Sequence, residues 1–239
     1  MAGQLPCGIY QDAARPLVRE GRAVLPVGAI EEHGPHLPSA TDTIIATALA
    51  RRVADRTGAI CLPALPYGYC RTTARLPGTV SIGFDALRAV VHDIVTALAD
   101  GGVSGIVVIT GHGGSAHLTA LQEAMCTALQ GRVDVKGAVL TPWTIAIDDL
   151  VETPTYHAGE TETSLMLAIA PELVDMALAR PGQEIPKKGF TARPAEPVSG
   201  VWGDPTLASA TKGEAVLERL TEVLICRFEE LLPIDEGIG

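Results

Sequence analysis

Uninterrupted apolar runs alternate with amphipathic segments along most of this chain. Four runs are typical of β-strands: residues 23–30, 59–65, 105–110 and 133–140. Five segments have the periodicity of helices: residues 42–56, 85–98, 115–129, 160–169 and 212–232. Strands that are apolar throughout are buried on both faces, which is typical of parallel strands between helices. The pattern predicts an α/β fold with a mostly parallel sheet covered on both faces.

Polar residues and glycines mark where these helices begin and end. Asp42 opens the first helix, and Asp85 and Ser115 are expected to cap the next two. The second helix is expected to end at the Gly101-Gly102 pair. Residues 180–210 are rich in proline and glycine but too few to separate two domains. We therefore expect one domain over residues 1–239.

Composition excludes some classes of function. The net charge is −10, from 18 basic and 28 acidic residues, and Lys187-Lys188 is the only adjacent lysine pair. Nucleic-acid binding needs clustered basic residues, so we expect no nucleic-acid partner. No apolar run approaches the roughly 20 residues of a membrane span, so we expect no membrane partner. Residues 1–11 lack the features of a signal peptide, which predicts a cytoplasmic protein.

Five of the six histidines lie in or beside three short segments rich in glycine, proline or acidic residues. The first segment contains Glu31 and His33, two residues apart and so on the same side of an extended chain. Gly-Pro and Leu-Pro pairs then turn the chain, which brings Asp42 towards the same point. Imidazoles and carboxylates are ligands of zinc and manganese, and Asp42 is placed to bridge two ions. The alternative is a charged surface turn with a capping aspartate.

The second and third segments add candidates. His112 follows the strand at 105–110, and ligands bind at the carboxyl ends of parallel strands. His157 precedes a helix whose first turn contains Glu160 and Glu162; acidic residues are favoured there in any helix, but a protonated histidine is not. Glu162 is the better candidate ligand of the two. His117 is expected to be exposed or capping, outside the site.

These segments resemble the motifs of the creatininase (creatinine amidohydrolase) family. The resemblance rests on three motifs in the family's order: Glu31-Glu32-His33-Gly34-Pro35-His36-Leu37-Pro38 with Asp42, Gly111-His112-Gly113-Gly114, and His157-Ala158-Gly159-Glu160-Thr161-Glu162-Thr163-Ser164. It continues through further short matches: Tyr67-Gly68, Pro77-Gly78-Thr79 and Gly203-Asp204-Pro205. The chain is thus similar to this family over most of residues 22–215.

The resemblance implies a three-layer α/β/α fold and a centre of two divalent metal ions, zinc or manganese, with iron as a third candidate. Glu31, Asp42 and His112 would hold one ion, and His33 with the bridging Asp42 would hold the other. His157 matches the family's catalytic histidine, which is thought to move a proton. Family members are usually homo-oligomers, often hexamers, so we expect the same here.

Departures from the family pattern affect the second ion and the substrate. Gly113 and Gly114 stand where creatininase itself has Tyr and Glu, and that Glu binds the second metal. We expect Glu162 to replace it. Residues 151–156 lack the tryptophan that closes over creatinine, although Trp143 matches another aromatic residue lining the pocket.

A further departure concerns the loop before Pro77. Many relatives carry a histidine ahead of Phe-Pro-Gly-Thr, where this chain has Thr73-Ala74-Arg75-Leu76. Arg71 or Arg75 is therefore a candidate contact for an anionic group on the substrate, and the alternative is a solvated loop charge.

The predicted activity is metal-dependent hydrolysis of a C–N bond other than an ordinary peptide bond. The expected substrate is a cyclic amide or formamide of a small heterocycle, attacked by a water that two metal ions activate. Trimming of a short peptide precursor, as in mycofactocin maturation, is the runner-up. Creatinine hydrolysis and a degenerate, non-catalytic relative stay open. A two-metal phosphoesterase is disfavoured because basic phosphate clamps are sparse.

Overall fold

A central parallel sheet organises the chain. The computed structural model describes residues 21–183 and 200–233. The strands are β1 (Arg22–Val27), β2 (Ile60–Cys61), β3 (Gly105–Thr110) and β4 (Lys136–Leu140). The helices are α1 (Thr41–Thr57), α2 (Phe84–Asp100), α3 (Ser115–Ala128), α4 (Glu160–Ile169) and α5 (Ala210–Leu231). The four strands are all parallel, in the order β2-β1-β3-β4.

Helices cover both faces of this sheet. Val24 and Val107 point to one face, into a core that contains side chains of α1, α4 and α5. Leu25 and Val108 point to the other, into a second core shared with α2 and α3. Both inner strands are therefore buried on both sides, which explains why they are apolar throughout. The predicted three-layer α/β/α fold is confirmed.

Several predicted boundaries were wrong for local reasons. The run at 59–65 forms regular strand only at Ile60–Cys61, because Pro63 has no N–H to donate; Leu65 then rejoins β1 through a single bridge to Val27. Asp85 and Ser115 are not caps, since Gly83 and Gly114 occupy those positions.

The remaining expectations concern the last helix, the segment at 180–210 and membrane-spanning helices. The last helix begins earlier than expected, after a true cap at Ser209, whose hydroxyl accepts the N–H of Lys212. The predicted excursion at 180–210 lies partly outside the described residues. Among those described, no helix has both the length and the apolarity that a membrane crossing requires.

A close backbone contact joins β3 to the start of α1. A Cβ atom at Gly111, just after β3, would lie 2.1 Å from the carbonyl oxygen of Asp42. Only glycine allows this approach without a shift of backbone. The contact brings the residue after Gly111 alongside the first turn of α1, where Asp42 lies.

We expect Gly111→Ala to lower the free energy of unfolding by about 3 kcal/mol, because an added methyl group would collide with backbone that cannot move away cheaply. Urea denaturation followed by circular dichroism would measure it. Gly83→Ala is the matched control, since a Cβ there meets no described atom within 4 Å. Equal stability of the two variants would contradict the prediction.

Candidate metal centre

The polar residues of the first two motifs meet where β1 and β3 end and α1 begins. Glu31, His33, Asp42 and His112 are all buried there, each at most 7% exposed. Burial of two carboxylates and two imidazoles so close together is costly unless they are paired with one another or with ions. The parallel topology explains the meeting, because it places the carboxyl ends of β1 and β3 side by side.

Asp42 lies between two imidazoles. Its Oδ1 is 3.3 Å from Nε2 of His33, and its Oδ2 is 3.1 Å from Nδ1 of His112. Burial alone would raise the pKa of this carboxyl, but the two imidazoles hold it well below its usual value. Asp42 is therefore ionised and presents one oxygen to each side.

One ring nitrogen of His33, Nε2, has no hydrogen-bond partner in the part of the chain that the structure describes. Its Nδ1 lies 3.0 Å from the carbonyl oxygen of Glu31 and can donate to it, which leaves Nε2 facing Asp42 and, at 3.7 Å, Oε2 of Glu162. Burial would lower the pKa of His33, yet these two carboxylates raise it well above its ordinary value. The position between them thus strongly favours a positive charge.

His112 lies beside the carboxylates of Glu31 and Asp42. Its Nδ1 is 2.8 Å from Oε2 of Glu31 and also faces Asp42. The other oxygen of Glu31 accepts a hydrogen bond from the Thr73 hydroxyl, which orients the carboxylate. The buried thiol of Cys70 is also near Glu31 and His112, and burial together with the nearby carboxylates raises its pKa, so the thiol is neutral.

These residues fit divalent metal ions. Glu31 Oε2, Asp42 Oδ2 and His33 Nε2 are buried and have no hydrogen-bond partner within residues 21–183 and 200–233. Donor atoms of His33, Asp42 and Glu162 lie within 4.8 Å of one another. Carboxylate oxygens and imidazole nitrogens are the usual ligands of zinc and manganese. Cations in these positions would satisfy the unpaired atoms and balance the buried negative charge.

The two glutamates of α4 point in different directions. Glu162 faces His33 and accepts the N–H of Ala158, so its carboxylate lies beside the centre, and its role as a substitute ligand stays a prediction. Glu160 faces away from the centre and accepts the N–H groups of Glu152 and Thr153. A side chain at Gly114 would begin 2.6 Å from Nε2 of His112, so in this chain the imidazole occupies the space next to that position.

His157 lies beside the centre with a defined orientation. Its Nε2 is 2.7 Å from the carbonyl oxygen of Glu32 and donates to it, so Nδ1 is the ring nitrogen left to face the centre. Nδ1 is 4.0 Å from Oε2 of Glu31. The next residue, Ala158, has a left-handed backbone with φ of 52°, a strained conformation for a residue other than glycine.

A cavity of about 370 Å³ opens over these groups. Its floor includes Glu31, Asp42, His112 and Glu162, and its aromatic walls are Trp143, Tyr156 and Trp202. Trp143 therefore borders the cavity as expected. Arg71 and Arg75 are exposed and do not border it, so a substrate contact by either stays a prediction.

Sequence reasoning missed the aromatic wall made by Tyr156 and Trp202. Their ring centroids are 5.6 Å apart, and the Trp202 ring also lies 5.5 Å from that of His157. The main chain joins them as well, since Trp202 N–H donates to the carbonyl of His157. No local pattern indicates a pairing across 45 positions of sequence, although the matching Gly203-Asp204-Pro205 motif next to Trp202 pointed to this segment.

The prediction for His117 was wrong. This residue is fully buried, accepts the N–H of Tyr69 at Nδ1 and contacts the Thr110 hydroxyl at Nε2. Burial lowers the pKa of His117 to about 3, so it is neutral. Its spacing of four from Leu121, on the buried side of α3, was the signal that could have indicated a core position.

Comparisons with known proteins agree with this geometry. The family model "Creatininase: Creatinine amidohydrolase" matches residues 10–227. The chain is 33% identical to the creatinine amidohydrolase of Pseudomonas putida, covering 88% of this chain and 89% of that protein. It is also 33% identical to the mycofactocin precursor peptide peptidase of Mycobacterium tuberculosis (strain CDC 1551 / Oshkosh), covering 90% and 87%.

Solved structures give the same result. A manganese form of creatininase superposes with a TM-score of 0.82 at 30% identity, and a zinc–zinc form of a creatininase variant with 0.83 at 28%. Each alignment covers 98% of this chain and 100% of the other. With the family model matching more than half of its length, the chain belongs to the creatininase family.

Proposed function

We propose that this chain is a metal-dependent hydrolase that cleaves a C–N bond other than an ordinary peptide bond. Glu31, Asp42 and His112 would hold one divalent ion, and His33, Asp42 and Glu162 the other. The observation that carries the proposal is the Asp42 carboxylate between two imidazoles. On either side of it, the buried atoms Glu31 Oε2 and His33 Nε2 have no hydrogen-bond partner among the described residues. Zinc and manganese are the favoured ions, since solved relatives are manganese and zinc–zinc forms.

When bound, such an ion pair lowers the pKa of a water molecule and polarises a carbonyl group. His157 supplies the proton chemistry. Because Nε2–H is donated to Glu32, Nδ1 is the atom that would take a proton from the attacking water and pass it to the departing nitrogen. Glu31 and its hydrogen bond from Thr73 hold one side of the site in place while this occurs.

The cavity supports a small substrate. Its volume of about 370 Å³ and its walls of Trp143, Tyr156 and Trp202 suit a flat ring. We therefore propose a cyclic amide or formamide of a small heterocycle. Creatinine itself is a weaker candidate, because Gly113 and Gly114 replace its enzyme's Tyr and Glu. Trimming of a peptide is the second candidate, favoured by the identity to the mycofactocin precursor peptide peptidase.

A substrate panel with metal analysis tests the proposal. The purified protein, loaded with zinc or manganese, would be assayed on creatinine, a formamidopyrimidine nucleotide and a short peptide with a free C-terminus. We expect about two bound ions per chain by elemental analysis, and either opening of a cyclic amide or release of formate from a formamide. Cleavage of the peptide alone would favour the second candidate. Fewer than one bound ion with no turnover would support a degenerate relative instead.

Assembly and location are further proposals. Family resemblance supports a homo-oligomer, with a hexamer as the expected form. The acidic composition supports a protein without nucleic-acid partners, and we propose a cytoplasmic location.

A further inference from the structure

Glu160, the first residue of α4, gathers more hydrogen bonds than its place at a helix terminus requires. Its side chain is fully buried, and Oε2 accepts the N–H groups of Glu152 and Thr153, at 2.9 and 2.8 Å, and the Thr153 hydroxyl. Its Oε1 accepts from Lys212 at 2.6 Å. Burial alone would raise the pKa of Glu160, but these donors keep it below its ordinary value.

Lys212 completes the arrangement from the first turn of α5. Its Nζ donates to Glu160, to Oε1 of Glu152 at 2.9 Å, and to the carbonyl oxygen of Leu207 at 2.8 Å. An ammonium group has three hydrogens, so all of them are used. A charged group held by three acceptors fixes the relative position of three separate segments.

The segment that Glu160 and Lys212 hold is residues 152–157, which we call the His157 loop. Thr155, Tyr156 and His157 of this loop border the cavity. The His157 end is fixed by its bond to Glu32 and by Trp202, whereas the 152–153 end depends on Glu160 and Lys212. The Tyr156 side chain between these two ends is 43% exposed.

We propose that the Glu160–Lys212 pair positions the His157 loop and thereby sets the affinity for substrate. Neither residue touches the cavity, so both act through Thr155 and Tyr156 rather than on the reacting atoms. The part of this inference that concerns substrate rests on the proposed function, but the positioning of the loop does not. Removal of the Lys212 charge should release the 152–153 end while the metal ligands stay in place.

The test compares Lys212→Met, which keeps the apolar stem, with Lys212→Arg, which restores a cation. Arg219→Met is the matched control, since it removes an exposed ion pair with Asp149 from the same helix. Glu160→Gln is a second route to the same loss and replaces Lys212→Met if that variant does not fold.

Two measurements need no substrate. The chain has two tryptophans, Trp143 and Trp202, and both border the cavity, so acrylamide quenching of fluorescence reports on its walls. We expect stronger quenching in Lys212→Met, with faster hydrogen exchange at the amides of Glu152 and Thr153.

On the substrate that the unchanged protein turns over, KM should rise about tenfold and kcat change less than about threefold, with unchanged metal content.

Lys212→Arg should restore the quenching, exchange and KM of the unchanged protein, and Arg219→Met should not alter them. Unchanged quenching and exchange in a folded Lys212→Met would overturn the proposal, and so would a fall in thermal stability alone. A joint loss of metal and kcat would overturn it too, because the pair would then support the metal centre. If no substrate is found, the proposed function fails, while quenching and exchange still decide whether the pair positions the loop.

Discussion

Asp42→Asn is expected to lose both metal ions and all measurable hydrolysis. The carboxylate lies within 3.3 Å of both His33 and His112, and an amide can offer only one oxygen where two are needed. Removal of a residue that hydrogen-bonds a metal ligand typically lowers metal affinity about 10- to 100-fold. Removal of a bridging ligand should therefore lower metal affinity by more than about 100-fold.

Elemental analysis after dialysis and isothermal titration with Zn²⁺ or Mn²⁺ would measure the effect. Circular dichroism should show the same secondary structure as the unchanged protein, because the sheet and α1 remain. Asp149→Asn is a suitable control, since Asp149 is an acidic residue on the surface, paired with Arg219. Retention of two ions by folded Asp42→Asn would show that Asp42 does not bridge, and the assignment of both metal positions would be wrong.

His157→Ala is expected to keep its metal ions and lose turnover by about 10²- to 10⁴-fold, the usual contribution of a positioned acid or base. Its Nδ1 is 4.0 Å from Glu31, near the ligands, but its hydrogen bond goes to the Glu32 carbonyl. His157→Gln is the sharper companion, because glutamine can still donate to that carbonyl but cannot transfer a proton near neutral pH.

Single-turnover kinetics on two substrates would separate proton transfer from other roles of His157. A substrate whose leaving group departs without protonation should be affected much less than the amide. Full activity of His157→Ala on the true substrate would remove the proton-transfer role. Equal losses on both substrates would point instead to displacement of the His157 loop.

The convergence of these residues could be predicted from the sequence because they lie at places that local rules identify. Glu31 and His112 follow apolar strands, and Asp42 lies at a helix start; parallel topology then brings the three positions together. The ligand roles of these residues stay predictions, but their convergence follows from physical reasoning about strands and helices.

Other features depend on tertiary contacts that no local pattern shows. The N–H of Trp202 donates to the carbonyl oxygen of His157, which holds Trp202 at the cavity. Glu160 accepts a hydrogen bond from Lys212, which lies on another helix. His117 was misplaced because a histidine near a helix start is usually exposed, whereas here Tyr69 and Thr110 satisfy both of its nitrogens. β2 shortened because Pro63 interrupts an otherwise suitable apolar run.

The residues that converge on the centre come from distant parts of the chain. More than half of the 239 residues separate His33 from Glu162, so an ion held between them would tie the segment after β1 to α4 like a cross-link. Ligands that bind only the folded state also raise its stability, by an amount that grows with the logarithm of their concentration once that exceeds Kd. Buffers that contain EDTA would therefore yield a protein that is easier to degrade as well as inactive, and the metal supply of the host would influence how long each molecule survives.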